Sequence, residues 1–118
     1  MALKIKFAKA LAASALCAAL SYADTDCVYK VEKIYISVEA DKTVYVYLMD
    51  AQGNRKGSIS KNATLISDEL LSRFHAHVVS AKLSDQNISV RFPEAGLDCS
   101  AHLGPVRSDF RGVWIDGP

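Results

Sequence analysis

Residues 67–83, SDELLSRFHAHVVSAKL, mark a change of period in this chain. Ser67 suits a helix N-cap, and Asp68 and Glu69 follow in a first turn where negative charge complements the helix dipole. Leu70, Leu71, Phe74, Val78 and Ala81 then recur at three- and four-residue spacing, which predicts one amphipathic helix ending near Ser84. Elsewhere the period is two. Residues 28–40 are dense in β-branched and aromatic side chains and read as a strand whose phase slips near Glu32 and Lys33. Tyr29 and Val31 share a face before the slip; Ile34, Ile36 and Val38 share the other beyond it. Such a slip predicts a β-bulge or a sharp bend. Residues 43–49 alternate Val44, Val46 and Leu48 against Tyr45, Tyr47 and Met49. DAQGN is a turn, and a weaker strand lies within 56–65. After the helix, 88–92 places Ile88, Val90 and Phe92 on one face, 93–96 breaks it, and 112–116 is a short last strand.

The chain therefore reads as mainly β with one helix, in the order β-β-β-α-β-β. With a bent first strand serving both halves, that order is what an OB-like five-stranded barrel needs. The alternative is an open α+β antiparallel sheet with one helix packed on it.

The first 23 residues stand apart. Lys4, Lys6 and Lys9 precede an apolar run at 10–20, and Ser21-Tyr22-Ala23 has small residues where a signal peptidase cuts. This is the layout of a secretory signal peptide over 1–23, cleaved between Ala23 and Asp24. At about 11 residues the apolar run is too short to span a bilayer. Cleavage takes 23 of 118 residues, leaving 95 as a single domain, 24–118. Three of 14 basic residues leave with it, so 11 face 13 acidic ones, a charge of about −2. A slightly acidic domain lacks the concentrated basic surface that nucleic acid or an anionic membrane requires. Cys17 also leaves. In an exported domain of this size the remaining pair, Cys27 and Cys99, reads as a disulfide closing a loop of about 70 residues. The expected location is periplasmic or secreted, with no stable membrane insertion after cleavage.

His75 and His77 invite a metal reading, which helical geometry opposes. At about 100° per residue their side chains point roughly 200° apart, and helical pairs that share a metal sit at i and i+4. His75 is expected beside Leu71 and Val79, and His77 beside Phe74 at a rim. His102 has no ligand at recognisable spacing, so no metal or other cofactor is expected. No serine sits in a Gly-x-Ser-x-Gly elbow, and a 95-residue chain has little room for a deep pocket, so the reading is non-enzymatic. The tyrosines carry the binding hypothesis. Tyr45 and Tyr47 oppose the Val44/Val46/Leu48 face and Tyr35 opposes Ile34 and Ile36, so all three stand outside if the aliphatic face is core. Exposed tyrosines suit a glycan or a protein surface. Trp114, between Val113 and Ile115, reads as core.

DTDCVYKV near the mature start, the helix SDELLSRFHAHVVSAKL, the strand NISVRF and Cys99 after it together resemble, in layout, the small B subunits of bacterial A–B toxins and other small exported bacterial proteins. Such subunits are OB-fold proteins with a disulfide and a helix between strands three and four. The resemblance implies glycan binding and a homo-oligomer; it carries over no functional residue. The function expected is an exported binding domain that recognises a glycan or a protein surface through Tyr35, Tyr45 and Tyr47. The alternative is a periplasmic inhibitor or envelope-stress protein that acts on an enzyme through its 97–111 loop.

Overall fold

The computed structural model describes residues 23–39 and 42–117. The proposed signal segment, apart from Ala23, lies outside the described residues. The elements are β1 (Thr25–Ile36), β2 (Val44–Met49), β3 (Arg55–Lys61), α1 (Asp68–Leu83), β4 (Asn87–Phe92) and β5 (Gly112–Gly117). The order β-β-β-α-β-β is that read from the periodicity. Five strands form one antiparallel sheet in the order β3-β2-β1-β4-β5. β1 is long enough to pair with β4 through Thr25 to Lys30 and with β2 through Lys30 to Ile36. Between those halves the register against β2 shifts from Val31 to Lys33, which places the bulge at Glu32 as its phase slip predicts.

The sheet is not closed into a barrel, and the open arrangement replaces the OB-like barrel expectation. β3 and β5 lie at opposite edges, and between them runs the segment preceding β5. Leu103 N–H donates to Lys56 O (2.7 Å), Arg107 N–H to Ser58 O (3.0 Å), and Ser60 N–H to Arg107 O (3.0 Å). These bonds leave one isolated parallel bridge, Ile59 to Arg107, rather than a ladder. Pro105 offers no N–H between the two donors. Past Arg107 the chain turns away, and Arg111 N–H bonds Arg91 O at 2.7 Å to start β5 on the far edge.

α1 packs on the inner face of the sheet. Ser67 Oγ accepts the Leu70 N–H at 3.2 Å, as an N-cap should. At the other end Gln86 N–H reaches Ala81 O at 2.9 Å around Asp85, whose φ of +52° is left-handed. Leu71, Phe74, Val78 and Ala81 are buried against Cys27, Tyr29, Val31, Val46, Leu48, Ile59, Ile88, Val90 and Phe92. The Phe74 and Phe110 rings meet at 5.4 Å, which ties the helix to the chain entering β5.

Four apolar assignments need correction. Leu70 is 52% exposed, because the sheet meets the helix along Leu71, Phe74 and Val78 and leaves Leu70 to one side. Ile36 is 46% exposed at the edge of a shallow depression beside the helix, and Val38, past the end of β1, is 97% exposed. Trp114 is only half-buried. Its neighbours Val113 and Ile115 pack on the core, so Trp114 takes the opposite face, with the Arg91 guanidinium 5.2 Å above its ring.

Among the described residues, one buried side-chain polar group is unpaired. Tyr29 is 2% exposed, its hydroxyl has no hydrogen-bond partner among the described residues, and burial pushes its pKa up. A desolvated hydroxyl without a partner costs more than the packing of its oxygen returns. Tyr29→Phe is therefore expected to stabilise the fold by about 1 kcal/mol. The check is a higher urea midpoint at unchanged slope; a lower midpoint shows that the hydroxyl is satisfied.

Candidate functional site

The bulge at Glu32 decides which way the first tyrosine points. Before it, Cys27, Tyr29 and Val31 face the core; beyond it Ile34 packs inward opposite Val46. One extra residue moves every later side chain to the other face. Lys33 and Tyr35 are thereby directed outward, where an unbulged strand would have buried them.

On that outward face the register sets two rows. Tyr35 lies opposite Tyr45, which lies opposite Ser60; Lys33 lies opposite Tyr47, which lies opposite Ser58. The Tyr35 and Tyr45 rings are 5.7 Å apart and tilted by 42°, and Tyr35 is 56% exposed. Tyr45 and Tyr47 are half-buried among their strand neighbours. Lys33 Nζ stands 4.6 Å from the Tyr47 ring centre and the Arg55 guanidinium 5.6 Å from it. Arg55 Nε also donates to Glu32 at 2.8 Å, and this pairing holds the Glu32 carboxyl below its usual range. Both cations thus address Tyr47, while Tyr35 keeps the most open ring. The surface offers aromatic faces, phenolic hydroxyls and flanking charges, with neither a paired acid and base nor an activated nucleophile among these residues. Such a surface can stack and hydrogen-bond.

The 97–111 loop is pinned rather than loose. Cys27 and Cys99 form a disulfide across 72 residues of sequence, with Cα atoms 5.4 Å apart. Lys56 Nζ donates to Ser100 O at 2.7 Å, and Ser60 and Ser108 share a hydroxyl hydrogen bond at 2.9 Å. Arg107 stacks 4.6 Å over Phe92 while its guanidinium pairs with Glu94 (2.7 Å) and Asp109 (2.8 Å). The hydrogen bonds from Arg107 hold the Asp109 carboxyl below its usual range. Gly104, Pro105 and Val106 remain exposed on this framework.

The histidines part company, as helical geometry requires. Half-buried His75 borders a shallow depression with Leu71, Ser72, Ile36 and Val44. Exposed His77 stands beside Phe74, and its Nδ1–H donates to Arg73 O at 2.8 Å. Among the described residues no three His, Cys, Asp or Glu side chains gather as metal ligands. Also among them, no helix is long and apolar enough to cross a membrane.

A second concavity was not foreseen. It is a groove of about 270 Å³ between α1 and the start of β5, with Ile66, Leu70, Phe74, Phe110 and Val113 among its walls and Lys61, Arg73, His77 and Arg111 at its rim. A trace of it exists in the sequence. Leu70, Arg73, Phe74 and His77 recur at three- and four-residue spacing, but their partners at 61, 110, 111 and 113 carry no local signal. No known protein family, curated protein or solved structure matches the chain.

Proposed function

We propose that the protein is an exported, non-enzymatic binding domain that recognises a glycan or a protein surface through Tyr35, Tyr45 and Tyr47. The observation that supports this most is the bulge at Glu32, which turns Tyr35 outward to meet Tyr45 at 5.7 Å. A covered aromatic pair serves packing; a pair whose Tyr35 ring stays open, in the row beside Tyr47 and its cations Lys33 and Arg55, suits a ligand that brings both ring stacking and hydrogen bonds. The Cys27–Cys99 disulfide is compatible with an oxidising compartment outside the cytoplasm. The layout resembling toxin B subunits adds a homo-oligomer to the reading, which light scattering at the mass of one chain would remove.

Tyr45→Ala with Tyr47→Ala is expected to abolish glycan-array or cell-surface binding while costing the sheet only about 1–2 kcal/mol in cross-strand contacts. Array binding that survives the double substitution in a folded protein overturns the assignment. A hit on intact cells that resists glycosidase treatment points to the protein surface instead.

The pinned loop favours one second reading, an inhibitor of an envelope enzyme acting through 97–111. Rigid presentation of Gly104, Pro105 and Val106 reduces the ordering cost that a flexible loop incurs on binding. Recovery of a hydrolase on the immobilised protein, lost on Val106→Asp and unaffected by the tyrosine pair, supports that reading over the first.

A further inference from the structure

The groove between α1 and β5 lies on the helix-bearing side of the sheet, away from the tyrosine face, and its inference is independent of that reading. Its floor is apolar: Phe74 and Phe110 in ring contact, with Ile66, Leu70 and Val113 around them. Its lining contains Lys61, Arg73, His77 and Arg111 and no carboxylate. The two arginines and the lysine differ in what already neutralises them. Arg73 pairs with Glu69 at 2.7 Å and Arg111 stands 3.6 Å from Asp24, both on the open surface. Lys61 is half-buried, donates to Ser108 O, and lies 4.4 Å from the centre of the Phe110 ring. It forms no ion pair with a carboxylate among the described residues. Burial pulls its pKa down, and the nearby Asp109, itself engaged with Arg107, only partly opposes this. An ammonium uses three donors, and the Ser108 carbonyl takes one.

We infer that this groove binds a medium-chain carboxylate, with its aliphatic tail on the Ile66–Leu70–Phe74–Val113 floor and its carboxylate on the Lys61 ammonium. Two observations choose this occupant. Basic side chains at the rim, with no acid in the lining, select an anion. The groove's volume of about 270 Å³ lies just under the ~300 Å³ at which drug-sized ligand pockets begin, which suits a small amphiphile such as a medium-chain acid. A carboxylate meeting the half-buried Lys61 ammonium gains a charge-assisted hydrogen bond, while the tail removes apolar wall from water.

Octanoate titrated into the exported protein, followed by ¹H–¹⁵N chemical shifts, tests the site. The expected result is saturable shifts at Leu70, Phe74, Phe110 and Val113, with octanol, which has the same tail and no charge, binding about tenfold more weakly. Lys61→Met keeps the aliphatic stem and removes the charge, so it is expected to weaken octanoate about tenfold and leave octanol unchanged. Should Lys61→Met disturb the fold, Leu70→Glu at the exposed edge of the floor supplies the check, since its carboxylate repels octanoate and adds to the loss of apolar contact. Equal affinity for octanol and octanoate overturns the proposal, as does an absence of groove shifts at millimolar octanoate. Tighter binding of an Ala-Ala-Leu tripeptide than of octanoate overturns it in favour of a protein C-terminus. Groove shifts that appear on concentrating the protein alone overturn it in favour of a second copy.

Discussion

Replacing Cys27 and Cys99 together by Ala is expected to lower stability by about 4 kcal/mol, the largest effect of any change considered. The bond spans 72 residues, and in the chain-entropy model a loop of that length restricts the unfolded chain by about that amount. Cys27 is also fully buried near the start of β1, so losing its sulfur adds a small packing deficit. A small domain holds only about 5–15 kcal/mol in total, and each kcal/mol moves the midpoint of a chain this size by about 4–8 °C. Thermal unfolding followed by circular dichroism should therefore show a fall of roughly 15–30 °C, matched by reducing the parent protein. A fall of only a few degrees would show that the unfolded chain is already compact and that the bond constrains little.

Gly57→Ala is expected to cost about 3 kcal/mol, although the residue lies on a strand near the sheet edge. Two causes combine. Its φ of +127° is a conformation that side-chain-bearing residues rarely adopt, and a Cβ there would stand 3.0 Å from Leu103 Cβ. Leu103 cannot retreat easily, because its N–H is bonded to Lys56 O at 2.7 Å. Close approach of the loop to β3 is thus possible only over a residue with no side chain. A double-mutant cycle with Leu103→Ala separates the causes. The steric part should be recovered and the backbone part should remain. If Gly57→Ala alone melts within a degree or two of the parent, the 97–111 loop is not seated on β3 as described.

These two sites differ in how legible they are. The Cys27–Cys99 pair follows from counting once Cys17 is assigned to a leader, with no knowledge of the fold. Gly57 gives no such warning, because KGS reads as a weak strand start and its partner lies 46 positions on. The tyrosine face is an intermediate case. Alternation in 43–49 puts Tyr45 and Tyr47 opposite Val44 and Val46 from sequence alone. Placing Tyr35 beside them needs the bulge, which the phase slip at Glu32 and Lys33 announces. The groove is the least legible feature, since Lys61, Leu70, Phe110 and Val113 come from four separate segments.

What the sequence determined by itself is local. It set the helix capped at Ser67, the alternation within 43–49, the bulge in β1 and the turn at 50–54; the pairing of Cys27 with Cys99 follows from it once Cys17 is assigned to the proposed leader. Each depends on residues close in the chain, or on there being one pairing available. Tertiary structure alone decided which apolar residues lose contact with water and whether the sheet closes. Leu70, Ile36 and Trp114 sit in apolar patterns yet end at the surface or halfway to it. Periodicity orients a side chain about its own element, while burial depends on which other element the chain brings opposite. For the sheet, the deciding contact is the segment around Pro105, which meets β3 at one parallel bridge and leaves it before a ladder can form.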